Sequence, residues 1–195
     1  MGGVMTRAAG LVVAAGLALS ACTGSPPEPA ETPAGTPLAS ASASPAPSVP
    51  AKPKRPEAIK RDDAEGAAAA AEYFIELYPY VMATGDTEEF EAMSHRACGY
   101  CEGVLDNAAW LQDESGTFEG GLTDAVLTET YQRDDLTGIL PFDFTTSQDA
   151  LVIRDEDGKQ LDRVSETKFE ARVEVGQSNG NWVIVEVAPH PDGDQ

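Results

Sequence analysis

The feature that most limits how this chain can fold is a change of hydrophobic period between Gly116 and Gly120. Upstream, Phe74, Leu77, Tyr78, Val81 and Met82 stand at the i, i+3, i+4, i+7, i+8 spacing that puts apolar side chains on one side of a helix. Downstream the period is two. Phe169, Ala171, Val173 and Val175 fall on one side of an extended chain and Lys168, Glu170, Arg172 and Glu174 on the other. Helices followed by a run of strands predict an α+β fold, with the helices packed on one face of an antiparallel sheet.

The element boundaries follow from punctuation. A first helix starts near Asp62 or Asp63, gains propensity from Ala67–Ala71, is expected to kink at Pro79, and ends at Gly85. Asp86-Thr87-Glu88-Glu89 has the order of a capping box and opens a short second helix ending near Met93. A third helix, from about Cys101 to Asp113, buries Val104, Leu105, Ala108 and Leu111 and stops at Gly116. Strands are expected at 122–132, 138–146, 150–154, 161–175 and 181–187, with turns at Asp157-Gly158 and Asn179-Gly180. The product is three N-terminal helices packed on a curved antiparallel sheet.

The chain before this domain has a different character. Residues 1–21 read as a secretory signal: Arg7 supplies charge, Ala8 to Leu19 an apolar core, and Ser20 and Ala21 small residues at the cut. That core is shorter than the ~20 residues a membrane-spanning helix needs. Leu19-Ser20-Ala21-Cys22 reads as a lipobox, with Cys22 as the lipidation site and new N-terminus. Ordinary signal cleavage would instead leave an unpaired thiol outside the cell. Two or more acyl chains on such a residue hold a protein stably at a bilayer, where one binds marginally. Cys22 and the stretch 23–56 then form a disordered tether: ten of the 14 prolines lie between Thr23 and Pro56, separated mainly by Ala, Ser, Thr and Gly. Fully extended, it reaches on the order of 100 Å. Lys52, Lys54 and Arg55 at its far end read as a solubilising cluster. The domain proper is placed at 57–188 and a polar C-terminal tail at 189–195. The expected location is the outer face of the cytoplasmic membrane.

The chain carries 33 acidic against 13 basic residues, and only Glu28 and Glu31 of the acidic ones precede residue 57. A surface so negative is repelled by phosphate polymers, which excludes nucleic acid as a partner. It is also repelled by anionic headgroups, so the domain should stand off the membrane on its tether. Of the three cysteines, Cys22 is assigned to lipid, leaving Cys98 and Cys101 as an even pair in an oxidising compartment. A disulfide between them is the simplest reading. Thiol–disulfide exchange would need the pair to open a helix after a strand, with a low-pKa first thiol. Zinc could draw on His95, Cys98 and Cys101 with Asp86 or Glu102, but oxidised cysteines cannot ligate it.

His95 is expected on a loop and His190 exposed in the tail. Asp155-Glu156-Asp157-Gly158 lacks the spacing and closing glutamate of a calcium loop and reads as a turn. Neither a nucleophile elbow nor a Walker, Rossmann or zinc-protease pattern occurs. Tyr73, Phe74, Tyr78, Tyr80, Trp110, Phe142, Phe144 and Trp182 are candidates for core packing or for lining a cavity mouth.

The order of these features resembles an uncharacterised family of actinobacterial lipoproteins. The matching pieces are the lipobox, the tether, Ala83-Thr84-Gly85-Asp86-Thr87, Cys98-Gly99-Tyr100-Cys101, Glu119-Gly120-Gly121 and Asn181-Trp182-Val183. The element order also resembles the cone-shaped NTF2-like fold. The resemblance implies location and architecture, and no cofactor, metal or catalytic residue. The expectation is a membrane-anchored, non-catalytic domain that binds or scaffolds an envelope protein or small ligand. The alternatives are a small-molecule hydrolase or isomerase using Asp86 or Asp106, and a redox protein using Cys98 and Cys101.

Overall fold

The computed structural model describes residues 49–190. The signal, Cys22, the tether up to residue 48 and residues 191–195 lie outside the described residues. After a 3-10 turn at Glu57–Lys60 come three helices, α1 (Ala64–Thr84), α2 (Glu88–Met93) and α3 (Gly99–Asp113). Seven strands follow: β1 (Thr117–Gly120), β2 (Thr123–Thr130), β3 (Leu140–Gln148), β4 (Leu151–Arg154), β5 (Gln160–Val164), β6 (Thr167–Ser178) and β7 (Asn181–Pro189). They form two antiparallel sheets, a four-stranded one in the order β2-β3-β6-β7 and a three-stranded one in the order β1-β4-β5. The α+β class expected from the period switch is what the structure has.

Helix α1 is the centre of the packing. Asp63 caps it by accepting the Gly66 N–H at 3.1 Å, which satisfies one of the free donors of the first turn. Ala67, Ala68, Ala70 and Ala71 are buried together with Tyr73, Phe74, Ile75, Leu77, Val81 and Met82, so the helix is enclosed on more than the one side its stripe predicts. Pro79 is buried within the helix, which continues to Thr84. Gly85 ends it at φ 68° and returns its N–H to Val81 O. The left-handed backbone favours glycine there, and a Cβ at Gly85 would also have to displace the Gln112 side chain. Phe74 stacks on Phe90 of α2 at 4.1 Å, and Phe142, Phe144, Val173, Val175 and Ile184 close the core from the large sheet. Full burial of such side chains contributes roughly 1.5–3 kcal/mol each, which makes this layer the main source of stability.

The local signals were not all used as their order suggested. Thr87 adopts helical backbone and its hydroxyl donates to Glu91, so no capping box forms before α2. Helix α3 begins at Gly99 with Cys98 as its cap, not at Cys101. At its far end Ser115 takes the positive φ of 50°, while Gly116 gives its N–H to Leu111 O. The sequence reading missed β1, four residues long, in which only Phe118 is buried. The strand expected at 161–175 is two strands, because the chain leaves the small sheet at Val164 and enters the large one at Thr167. A similar crossing at Gly120-Gly121 uses positive φ at both residues; a Cβ at Gly120 would stand 2.3 Å from Ala150 O. Asn179 and Gly180, at φ 52° and 78°, make the expected β6–β7 turn.

The N-terminal end of the domain is tied down. Lys52 lies 3.1 Å from Glu89, and Arg55 donates to Glu89 at 2.6 Å. Lys52 also sits over the Tyr80 ring and Arg55 over that of Tyr73. The basic cluster therefore does more than solubilise. Its partners are Glu89 of α2 and Asp86 just before that helix, and the arrangement relieves part of the domain's negative charge.

Candidate functional site

Cys98 and Cys101 lie at disulfide distance, with Cα atoms 5.2 Å apart and both residues buried. Cys98 Sγ accepts the Cys101 N–H, so the pair opens α3 as a redox site would. What precedes it is α2 and a loop. The next N–H groups of α3, on Gly99 and Tyr100, point at the Glu186 carboxylate at 3.3 and 3.4 Å. A carboxylate at the helix N-terminus uses the positive end of the dipole that would otherwise lower a thiol pKa. The start of α3 is thus already occupied by a carboxylate, unlike a redox site whose helix N-terminus faces its sulfur.

The residues weighed as metal ligands or acids do not converge. No group of three or more His, Cys, Asp or Glu arranged for a metal occurs among the described residues. His95 uses Nδ1 to accept the Ala97 N–H and lines an open polar groove of about 480 Å³ with Arg96, Asn179 and Asn181. Asp86 accepts the Tyr80 hydroxyl at 2.5 Å and sits 3.6 Å from Lys52. These contacts, the Tyr80 bond foremost, hold its carboxyl below the usual range. A general acid or poised base needs the opposite shift. Asp106 is exposed on α3, bordering a groove beside Cys98 with Glu102 and Leu105.

A recess does form where the helices meet the sheets. Its inner part, about 50 Å³, lies among Ile75 and Tyr78 of α1, Tyr100 of α3, Thr146 of β3 and Ala171 of β6. The Thr146 hydroxyl is buried and makes no hydrogen bond. An outer part of about 300 Å³ lies among Met82, Trp110, Leu111, Ile153 and Val164. Tyr78 and Gln148 belong to both. Burial raises the pKa of the Tyr78 and Tyr100 hydroxyls, so at neutral pH they are protonated donors. Of the eight aromatic candidates, Tyr78 and Trp110 line this recess. Tyr73, Phe74, Phe142 and Phe144 pack in the core, and Trp182 donates its indole N–H to Arg61 O. Phe169, expected to face inward, lines the inner part yet is 44% exposed.

The opposite face of β3 holds a polar cluster that the sequence reading missed. Asp143, 4% exposed, accepts from Arg172 at 2.8 and 3.0 Å and from the Tyr131 hydroxyl at 2.7 Å, while His190 Nε2 stands 3.0 Å away. Arg172 also covers the Tyr131 ring. The Arg172 hydrogen bonds hold Asp143 below the usual carboxylate range, and Asp143 pushes the Tyr131 hydroxyl up to about 12. His190 is not the exposed tail residue expected. Strand β7 extends to Pro189, and the His190 N–H bonds to Glu170 O. The alternation of β6 placed Arg172 on the outer face, but nothing local linked it to a residue 29 positions earlier.

Residues 39–188 match the model of the family described as "Family of unknown function (DUF6318)". The chain belongs to that family. No curated protein gives a match. Among solved structures, the intermembrane space region of chloroplast protein ARC6 is similar at 15% identity and a TM-score of 0.47, over 66% of this chain and 97% of that one. A protein named as an Rd1NTF2 variant is similar at 12% identity and 0.40, over 66% and 100%. An uncharacterized protein with a cystatin-like fold from Caulobacter vibrioides is similar at 17% and 0.38, over 65% and 92%.

The family match spans every helix and strand up to residue 188 and also the segment carrying Lys52 and Arg55, whose side chains the domain holds. No helix among the described residues is long and apolar enough to cross a membrane.

Proposed function

We propose that the chain is an extracytoplasmic lipoprotein of the actinobacterial type it resembles. After loss of signal 1–21 it is anchored through Cys22 to the outer face of the cytoplasmic membrane, and its NTF2-like domain binds a ligand or envelope partner without catalysing a reaction. The observation that carries the binding role is the chemistry of the inner recess. Tyr78, Tyr100, Thr123, Thr146 and Gln148 are its polar groups, all neutral, and the tyrosines are held in their protonated form. Such groups orient a ligand by hydrogen bonds, whereas proton transfer at neutral pH needs a group poised between two charge states. A buried Cys98–Cys101 pair at bonding distance supports an oxidising compartment.

Two measurements test this. Labelled palmitate should enter the protein in cells and be lost in Cys22→Ala, with the chain then found in the medium; label retained by that variant refutes the anchor. Purified protein should leave a panel of ester, lactone and epoxide substrates unchanged. Turnover abolished by a single substitution at Tyr78 or Thr146 would overturn the non-catalytic reading.

A further inference from the structure

We infer that the recess is a site for a neutral amphiphile, with its hydroxyl or carbonyl head in the inner part against Thr146 and its apolar body in the outer part beside Trp110. The inference rests on the binding role proposed above and names the ligand class.

Three observations carry it. First, the Thr146 residue is 1% exposed and its hydroxyl has no hydrogen-bond partner. A buried hydroxyl left unpaired keeps the full penalty of its lost hydration, so the position favours an occupant that supplies the missing partner. Second, the space is graded. About 50 Å³ inside accepts a head of a few atoms, and about 300 Å³ outside, lined by Met82, Trp110, Leu111, Leu151, Ile153 and Val164, suits a chain or flat ring. Tyr78 and Gln148 separate the two parts, and Gln148 is held only by a 3.5 Å contact to Thr123, so its side chain can swing aside. Third, Trp110, Val164 and Phe169 stay 45%, 36% and 44% exposed around the openings. Large apolar side chains left in water at the rim of a recess mark a surface that an apolar ligand covers.

Charge selects the head. Asp162 borders the outer part, and the chain carries a net charge of -20. A carboxylate or phosphate head would enter against that field and find no cation in the inner part. An alcohol or ketone can accept from Tyr78 or Tyr100 and exchange a hydrogen bond with Thr146.

The test uses the full chain carrying Cys22→Ser, so that no anchor lipid competes for the recess. Decanol, decane and decanoate are titrated while Trp110 emission is followed, with Trp110→Phe as the blank. Decanol should bind about fivefold more tightly than decane, the yield of one hydrogen bond, and decanoate most weakly. Thr146→Val, which keeps the shape and removes the hydroxyl, should erase the advantage of decanol and leave decane unchanged. Thr146→Ser should retain the advantage. Equal affinity for decanol and decane, or an advantage that survives in Thr146→Val, overturns the head placement, and the inner part then holds water. Binding of none of the three overturns the amphiphile assignment. The non-catalytic reading fails on a different measurement, the appearance of product.

Discussion

The two faces of β3 bury polar groups three residues apart under opposite rules. On the outer face Asp143 has Arg172, Tyr131 and His190 around it. On the inner face Thr146 has no partner. A buried polar group left without partners costs stability, and one fully bonded specifies a unique arrangement. The outer cluster therefore ties β2, β3, β6 and the end of β7 together, and it is complete without a ligand. The inner group is the incomplete one, and it lines the recess between the helices and the sheet. Burial alone does not separate these roles; hydrogen-bond completeness does.

The largest effect should come from breaking the complete side. Asp143→Ala removes the shared acceptor of the Arg172 guanidinium and the Tyr131 hydroxyl, leaving the guanidinium without its counter-charge, and should cost about 2–3 kcal/mol in denaturant unfolding. A loss below about 0.5 kcal/mol would show that water replaces the carboxylate, and the contrast between the faces would collapse. The pH dependence has a definite sign. Because the folded carboxyl titrates below its unfolded value near 3.9, its contribution is fully present above about pH 4. It is lost as pH falls through the lowered folded value. Asp143→Asn should flatten that part of the acid limb.

How much of this could be read beforehand follows from the range of each interaction. The N-terminal cap at Asp63, the stop at Gly85 and the turn at Asn179-Gly180 depend on residues within a few positions, and local chemistry specified them. The division into two sheets depends on β1 finding β4 across the whole of β2 and β3, while β5 only joins β4 through the short turn at Asp157-Gly158. Strand β5 is exposed throughout, so no apolar pattern marked it off from β6 within the strand expected at 161–175. Cys98 and Cys101 were legible because their partners are close in sequence. Asp143 and His190 were not, since the contact joins positions 47 residues apart. Thr146 was illegible for another reason: a threonine on an inward position looks like an ordinary strand residue until its missing partner is seen.

A smaller effect should come from the incomplete side. Thr146→Val replaces an unpaired hydroxyl by a methyl group of the same shape, and without ligand it should raise stability by about 1 kcal/mol, read as a shift in the denaturant midpoint at unchanged slope. An unchanged midpoint would mean that ordered water already satisfies the hydroxyl, which makes the two faces more alike than they look.

The smallest effect separates incomplete bonding from like-charge crowding. Glu76 on α1 is partly buried, and burial first, then Glu72 and Asp124, raises its carboxyl pKa. The sign is opposite to that of Asp143. A folded value above the unfolded one, near 4.3, means that ionising Glu76 costs stability, and the cost is added as pH rises through the folded value. Glu76→Gln removes the charge with little change in shape and should stabilise the domain at pH 7 by a few tenths of a kcal/mol, with no gain below about pH 4. High salt should shrink the gain, because the repulsion from Glu72 and Asp124 is partly screened. A gain of the same size in high salt would assign the effect to desolvation of the single carboxylate. Glu76 would then join Thr146 as a group whose burial is uncompensated, on an element that faces the same sheet.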